Sequence, residues 1–427
     1  MENKRLETLC LHAGHTPDTD TGSRAVPIYR TSSYVFKDSA HSADLFSLKV
    51  PGNIYTRLMN PTTDVLEKRM AALDGGQAGL AVASGTSAIF YAIINICKTG
   101  DRVVSADNLY GGTYTMFNDI LPQFGITVDF VDPRDPANFA AAITDQTRAV
   151  FAETIGNPAL EFTDLELVAA IAKEHRLPFV VDSTFTTPYL LRPIDYGADV
   201  VVHSATKWIG GHGTGIGGVV VDAGTFDWTD PKFELYNTPD PSNFNLRFGH
   251  DLGDLSPVAF AVRMRLVPLR NLGACISPDN AWLFLQGLET LPLRMARHSE
   301  NAMAVATYLK EHPDVKWVRY PGLPDDPAYP TASRYMKKGF GAMVVFGLKG
   351  GSDAGRRFID NLELFSILAN VGDAKSLALH PASTTHSQLT EKQQRDAGLE
   401  PDLIRLSIGI EHIDDIIGDI SQAIERL

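Results

Sequence analysis

The chain has 427 residues, 44% of them hydrophobic and 21% charged, and 38 basic against 51 acidic residues leave a net charge of −13. That length implies two or more cooperating cores, and that charge argues against a general nucleic-acid surface or an anionic membrane surface, so any anion site has to be local. No uninterrupted apolar run approaches a membrane span, and Met1-Glu-Asn-Lys-Arg5 lacks an apolar signal segment, which predicts a cytoplasmic protein.

Residues 1–60 show little regular periodicity and many turn formers, as in an N-terminal arm that crosses to a neighbour. From 61 to 285 strand and helix candidates alternate. The first strand candidate, Gly79–Ala83, runs into the turn Ala83-Ser-Gly-Thr-Ser-Ala88 and then an apolar segment of helical length ending at Cys97. Small residues at a strand-turn-helix junction leave backbone N–H groups free at a helix start, a ready anion site, although Ser84 or Thr86 also suits an ordinary N-cap. Arg102–Ser105, Thr127–Val131, Arg148–Ala152, Phe179–Val181, Val200–Val202 and Gly217–Asp222 read as further strands. Helical stretches between them, such as Asp164–His175, predict right-handed crossovers and a mostly parallel sheet. From 286 to 427 an amphipathic stretch (Leu293–Glu311) leads into a smaller α+β domain.

Cys10, Cys97 and Cys275 lie far apart without paired spacing, which predicts reduced structural thiols. His203, His212, His380 and His386 fall near the motifs but lack the spacing of a zinc site, so no metal is expected.

The chemistry concentrates between Val180 and His212. One apolar run, Leu177-Pro-Phe-Val-Val, ends on Asp182; a second, Asp199-Val-Val-Val, ends in His203-Ser-Ala-Thr-Lys207 and is followed by Gly210-Gly211. An acid and an amine thus reach the same edge of a sheet, where ligands of open parallel sheets gather. A nucleotide loop would place Gly-Lys-Ser/Thr at its end; here the order is Ser-x-Thr-Lys. The combination suits pyridoxal phosphate: Lys207 as the Schiff-base lysine and proton shuttle, Asp182 at the pyridine nitrogen, and Ser204 and Thr206 at the phosphate.

The chain resembles the Cys/Met metabolism family of pyridoxal-phosphate enzymes, the cystathionine synthase and lyase group. The resemblance runs from Thr8–Gly14 to Ile404–Glu411 and rests on Tyr55-Thr-Arg57 with Asn60-Pro-Thr62, Ser84-Gly85, Tyr110-Gly-Gly-Thr113, Glu153–Pro158 and the lysine segment. It implies an α/β protein of fold-type I (aspartate-aminotransferase-like), with a mostly parallel large domain over 61–285, a smaller α+β C-terminal domain over 286–427 and the arm over 1–60.

It also implies that Tyr110 stacks on the cofactor ring and that Ser84, Gly85 and Thr86 serve its phosphate. Tyr55 and Arg57 reach the phosphate of the adjacent subunit, giving shared sites in a homotetramer of dimers. Asn157 helps hold the ring oxygen and the substrate carboxylate, Arg405 binds that carboxylate by its planar fork, and Ser376 lies near lysine and substrate.

Within the family, Asn271–Thr290, His380–Gln388 and the long segment 224–268 are similar to the branch that exchanges the acetyl group of O-acetylhomoserine for sulfide or a thiol. Asp279, Thr86 and Leu377-Ala-Leu379 depart from that branch's usual residues. A γ-lyase or a cystathionine γ-synthase-type activity is the alternative. Methionine γ-lyases place a cysteine in the loop after the Tyr110 region, and Tyr110–Met116 has none.

Overall fold

A computed structural model describes residues 4–47, 49–384 and 400–427; His386 lies outside the described residues. Seven strands build the larger sheet: β1 (Ala78–Val82), β2 (Arg102–Ala106), β3 (Thr127–Val131), β4 (Thr147–Glu153), β5 (Phe179–Asp182), β6 (Val200–Ser204) and β7 (Gly218–Asp222). Their order is β1-β7-β6-β5-β4-β2-β3. Strands β2 to β6 run parallel, and β7 lies antiparallel between β1 and β6. Residues of β5 and β7 are buried without exception. Covered on both faces, such strands read as continuous Val runs rather than as alternation.

The flanking helices start where short polar side chains cap them. Asn60 accepts Thr62 N–H ahead of α1 (Pro61–Asp74), Ser84 accepts Ser87 N–H ahead of α2 (Gly85–Ile96), and Asp164 accepts Leu167 N–H ahead of α3 (Leu165–Glu174). Pro61 at the first turn and left-handed Gly75 beyond the last fix the length of α1.

Five strands make the second sheet: β8 (Val315–Arg319), β9 (Met343–Leu348), β10 (Ser366–Ile367), β11 (Leu377–Leu379) and β12 (Leu403–Ser407), in the order β10-β11-β12-β9-β8. It is antiparallel apart from the β10–β11 pair. α4 (Pro278–Glu289) precedes the long α5 (Leu291–Glu311), with α6 (Gly351–Asn361) and α7 (Ile413–Glu425) further on. Two buried clusters follow the two sheets, and α5 serves both. Leu291 and Met295 belong to the larger core, whereas Ala302, Val305, Ala306 and Leu309 join Phe358, Ile416 and Ile420 in the smaller. Buried Arg294 on α5 donates to the Trp208 carbonyl at 2.7 Å and to Gly287 at 2.6 Å, which fixes the helix against the segment that carries Lys207.

Where the sequence shows little periodicity, the first 60 residues carry two short helices, Leu6–His12 and Ser39–Phe46. Asn60 and Thr62 anchor the arm by bonding the carbonyls of Tyr29 and Pro27, and between these points Val35 is 99% exposed. The three cysteines are unpaired, and burial pushes the Cys10 thiol up to about 12. Among the described residues no helix is long and apolar enough to cross a membrane.

Candidate active site

Asp182 and Glu153 end adjacent parallel strands in register, so two carboxyls meet at the carboxyl edge of the larger sheet. Asp182 accepts the Thr184 N–H at 2.8 Å. Burial raises its pKa, and the Thr184 contacts and the nearby His203 work against that rise. His203 is itself fully buried, with Nε2 2.8 Å from the equally buried Asp74. Burial alone would lower the His203 pKa, but the Asp74 and Asp182 carboxylates outweigh it and leave it raised.

Lys207 follows β6 by three residues. Its Nζ donates to Asn370 Oδ1 at 2.5 Å, and among the described residues no carboxylate pairs with it. Desolvation first, then the field of Arg405, lowers its pKa to about 8. Asn370 arrives from the loop before β11. Gly372 lets that loop pass over the lysine segment, because a Cβ there would come within 2.7 Å of Trp208 N.

The Ser84 turn stands beside these groups. A Cβ on Gly85 would lie 2.6 Å from Ser204 Cβ, so only glycine brings the start of α2 against the Ser204 side chain. The first-turn N–H groups of α2 have no intrahelical acceptor, and Thr86 among them is exposed. The Ser204 backbone N–H is held by Thr184 Oγ1 at 2.8 Å, while its hydroxyl makes no bond among the described residues. Thr206 differs: its hydroxyl donates to Gly217 O at 3.2 Å and accepts Gly217 N–H at 3.1 Å, which ties the lysine turn to the start of β7.

Arg405 sits mid-strand in β12 and donates to Asn157 Oδ1 at 3.2 Å; burial lowers its pKa to about 10, opposed by Tyr110 nearby. Tyr110 is 51% exposed, and its backbone N–H donates to Glu153 Oε1 at 2.8 Å. Gly112 makes room for the ring, since a Cβ there would meet Tyr110 Cε1 at 2.5 Å.

Two groups of expected residues are engaged with other partners. Tyr55 and Arg57 pair with each other, the guanidinium 5.3 Å from the ring centroid, and no hydrogen bond or ion pair among the described residues joins either to the Lys207 group. Ser376, expected near lysine and substrate, is fully buried. Its hydroxyl donates to Glu411 at 2.9 Å and accepts Gly409 N–H at 2.9 Å. Its proton and one lone pair are engaged by the segment that follows β12, and Asn370 lies beside the lysine.

The donor set fits pyridoxal phosphate: a half-buried amine and, among the described residues, no carboxylate paired with it, an acid at the end of the adjoining strand, and a helix start pressed against a hydroxyl that makes no bond there. The sequence model of the Cys/Met metabolism PLP-dependent enzymes matches residues 7–425. The chain belongs to this family. It is a pyridoxal-phosphate-dependent enzyme with the fold of the family.

Its similarity to individual family members extends from end to end. An O-acetyl-L-homoserine sulfhydrylase of Leptospira meyeri is 54% identical over all of this chain and 98% of its own. A homocysteine synthase of Schizosaccharomyces pombe is 52% identical over all of this chain and 99% of its own. A crystal structure from Campylobacter jejuni carrying N'-pyridoxyl-lysine-5'-monophosphate superposes with a TM-score of 0.95 at 42% identity, covering 99% of this chain and 100% of that one.

Proposed function

We propose that the protein converts O-acetyl-L-homoserine and sulfide, or a thiol, into L-homocysteine, or methionine, and acetate, as an O-acetylhomoserine aminocarboxypropyltransferase of methionine and cysteine biosynthesis. The observation that carries this reading is the full-length identity of 52–54% to two enzymes named for homocysteine-forming sulfhydrylation.

Pyridoxal phosphate, when bound, supplies an electron sink for the charge left by deprotonation next to the amino group. Lys207 would hold the cofactor covalently, and its amine would be free to act once substrate is bound. Its amine, with a pKa near 8, then takes the Cα proton and returns protons along the chain. Asp182 keeps the pyridine nitrogen protonated. The N–H groups of Gly85 and Thr86 and the Ser204 hydroxyl hold the phosphate, the Ser84 cap fixes the turn, and Thr206 acts through its clasp on Gly217. Tyr110 covers the ring and assists departure of the acetate. Arg405 and Asn157 fix the substrate α-carboxylate, which aims Cα and Cγ at Lys207.

Tyr55 and Arg57 complete the phosphate site of a neighbouring copy, within a homotetramer of dimers in the cytoplasm. Their exposed pairing with each other, with no hydrogen bond or ion pair to the Lys207 group among the described residues, supports that arrangement. The deciding experiment incubates purified protein with O-acetylhomoserine, O-succinylhomoserine or O-acetylserine, each with and without sulfide. Homocysteine and acetate should appear in quantity only from O-acetylhomoserine with sulfide. Equally fast release of 2-oxobutanoate without sulfide would make the protein a γ-lyase.

A further inference from the structure

Glu153 has no part in the reaction above, yet it stands at the centre of the site. It ends β4 in register with Asp182 and is 6% exposed. Two buried carboxyls at neighbouring strand ends cannot both be charged without a large penalty. Their surroundings are unequal. Asp182 accepts the Thr184 N–H and has His203 nearby, itself held by Asp74. Glu153 accepts one N–H, from Tyr110. Among the described residues no Lys, Arg or His pairs with its carboxyl, and the charged neighbour that acts on it is Asp182.

Building on the pyridoxal-phosphate reading of the site, we propose that Glu153 is a neutral, proton-bearing positioning residue. One oxygen holds the Tyr110 backbone, and with it the ring that covers the cofactor, while Asp182 remains the sole carboxylate at the pyridine nitrogen. Burial and then Asp182 push the Glu153 carboxyl well above the usual carboxylate range, in line with that division. A glutamate anion in this position would repel Asp182 and offer the pyridine proton a second acceptor. As an acid it keeps the backbone clamp and adds no charge.

The test compares Glu153→Ala with Glu153→Gln in the holoenzyme, after circular dichroism has verified the fold. Loss of the clamp in Glu153→Ala should weaken cofactor binding by about tenfold, and Glu153→Gln, an uncharged isostere of the protonated acid, should restore it to within about twofold. The pH midpoint of the bound cofactor's absorbance should match wild type in Glu153→Gln. A displaced midpoint, or a glutamine variant as impaired as alanine, would show that the native residue is ionised and overturn the proposal. Undiminished binding in Glu153→Ala would remove the clamp.

Should the alanine variant fail to fold, the infrared difference between wild type and Glu153→Gln decides. The carbonyl stretch of a protonated acid at neutral pH supports the proposal, and carboxylate bands overturn it. Failure of the wild type to bind pyridoxal phosphate would instead defeat the cofactor reading.

Discussion

The two sheets each hold a half-buried cation that lacks a carboxylate partner among the described residues, and they hold it in different ways. The larger sheet holds Lys207 in a turn beyond a strand end, against one amide oxygen. The smaller holds Arg405 within β12, paired on either side by β9 and β11. Desolvation lowers both, but from different starting points: Lys207 falls from 10.5 to about 8 and Arg405 from the ordinary, higher arginine range to about 10. Near neutral pH the lysine can give up its proton and the arginine cannot. The same desolvation suits Lys207 to the proposed role of movable base and Arg405 to the proposed role of fixed anion anchor.

The contrast is broken most severely at the base. Lys207→Ala should lower turnover by at least about a thousandfold, within the span that a positioned acid-base group supplies, while calorimetry of the cofactor-free protein shows no loss of stability. Parallel loss of melting temperature would make Lys207 a packing element. A second experiment asks whether the arm completes a neighbour's site. Inactive Arg57→Ala and Lys207→Ala subunits, mixed under exchange, form mixed dimers with one intact site each. About a quarter of wild-type activity should return with random pairing, and none would mean that the arm serves its own chain.

At the anchor, Arg405→Lys keeps the charge but loses the fork. It should weaken substrate binding by about 1.5–3 kcal/mol, roughly tenfold to a hundredfold, with the cofactor's absorbance unchanged. Loss of cofactor with substrate affinity intact would move Arg405 to the phosphate.

Titration sharpens the comparison more gently. Because the folded pKa of Lys207 lies below its ordinary value, the unfolded chain binds the extra proton between about pH 8 and 10.5, and the lysine costs most stability below that window. Denaturant midpoints of cofactor-free Lys207→Ala and cofactor-free wild type should therefore converge as pH rises through it. A constant gap would mean that the amine is not desolvated in the folded state. The smallest effect concerns Ser376→Ala, which should cost about 1–3 kcal/mol of stability through the lost Glu411 bond and leave substrate affinity unaltered; weakened substrate binding would return Ser376 to the site.

The placement of Asp182 and Lys207 at the carboxyl edge of the sheet was legible because Asp182 ends one Val-rich strand and Lys207 follows another by three residues, and a buried parallel strand announces its own end. The Ser84 turn was legible for a similar reason, since glycine and hydroxyl residues between a strand and a helix have a local physical meaning. Asn370 had no such signal. It reaches Lys207 across 163 residues of chain, and only the docking of the small sheet creates the contact. Ser376, placed near lysine and substrate by resemblance, gives the converse case: Glu411, 35 residues on, accepts its hydroxyl proton, a partner its local sequence does not announce. Thr206 is similarly engaged by Gly217. Glu153 lay within a recognised segment, yet its meaning depends on the strand beside it. The two-residue β10 and the short arm helices fall below the length at which periodicity can be read.

The close approach at Gly218 sets a schedule for the whole site. A Cβ on that residue would fall 2.2 Å from Ser84 O, and Gly218 is also the register partner of both Val82 and Ser204. The late strand β7 is thus the wedge that joins the turn at residue 84 to the hydroxyl at residue 204. A ribosome that has released Lys207 but not residues 218–222 has delivered the amine without the cradle for its phosphate. Closure of the sheet by β7 therefore has to precede assembly of the phosphate cradle.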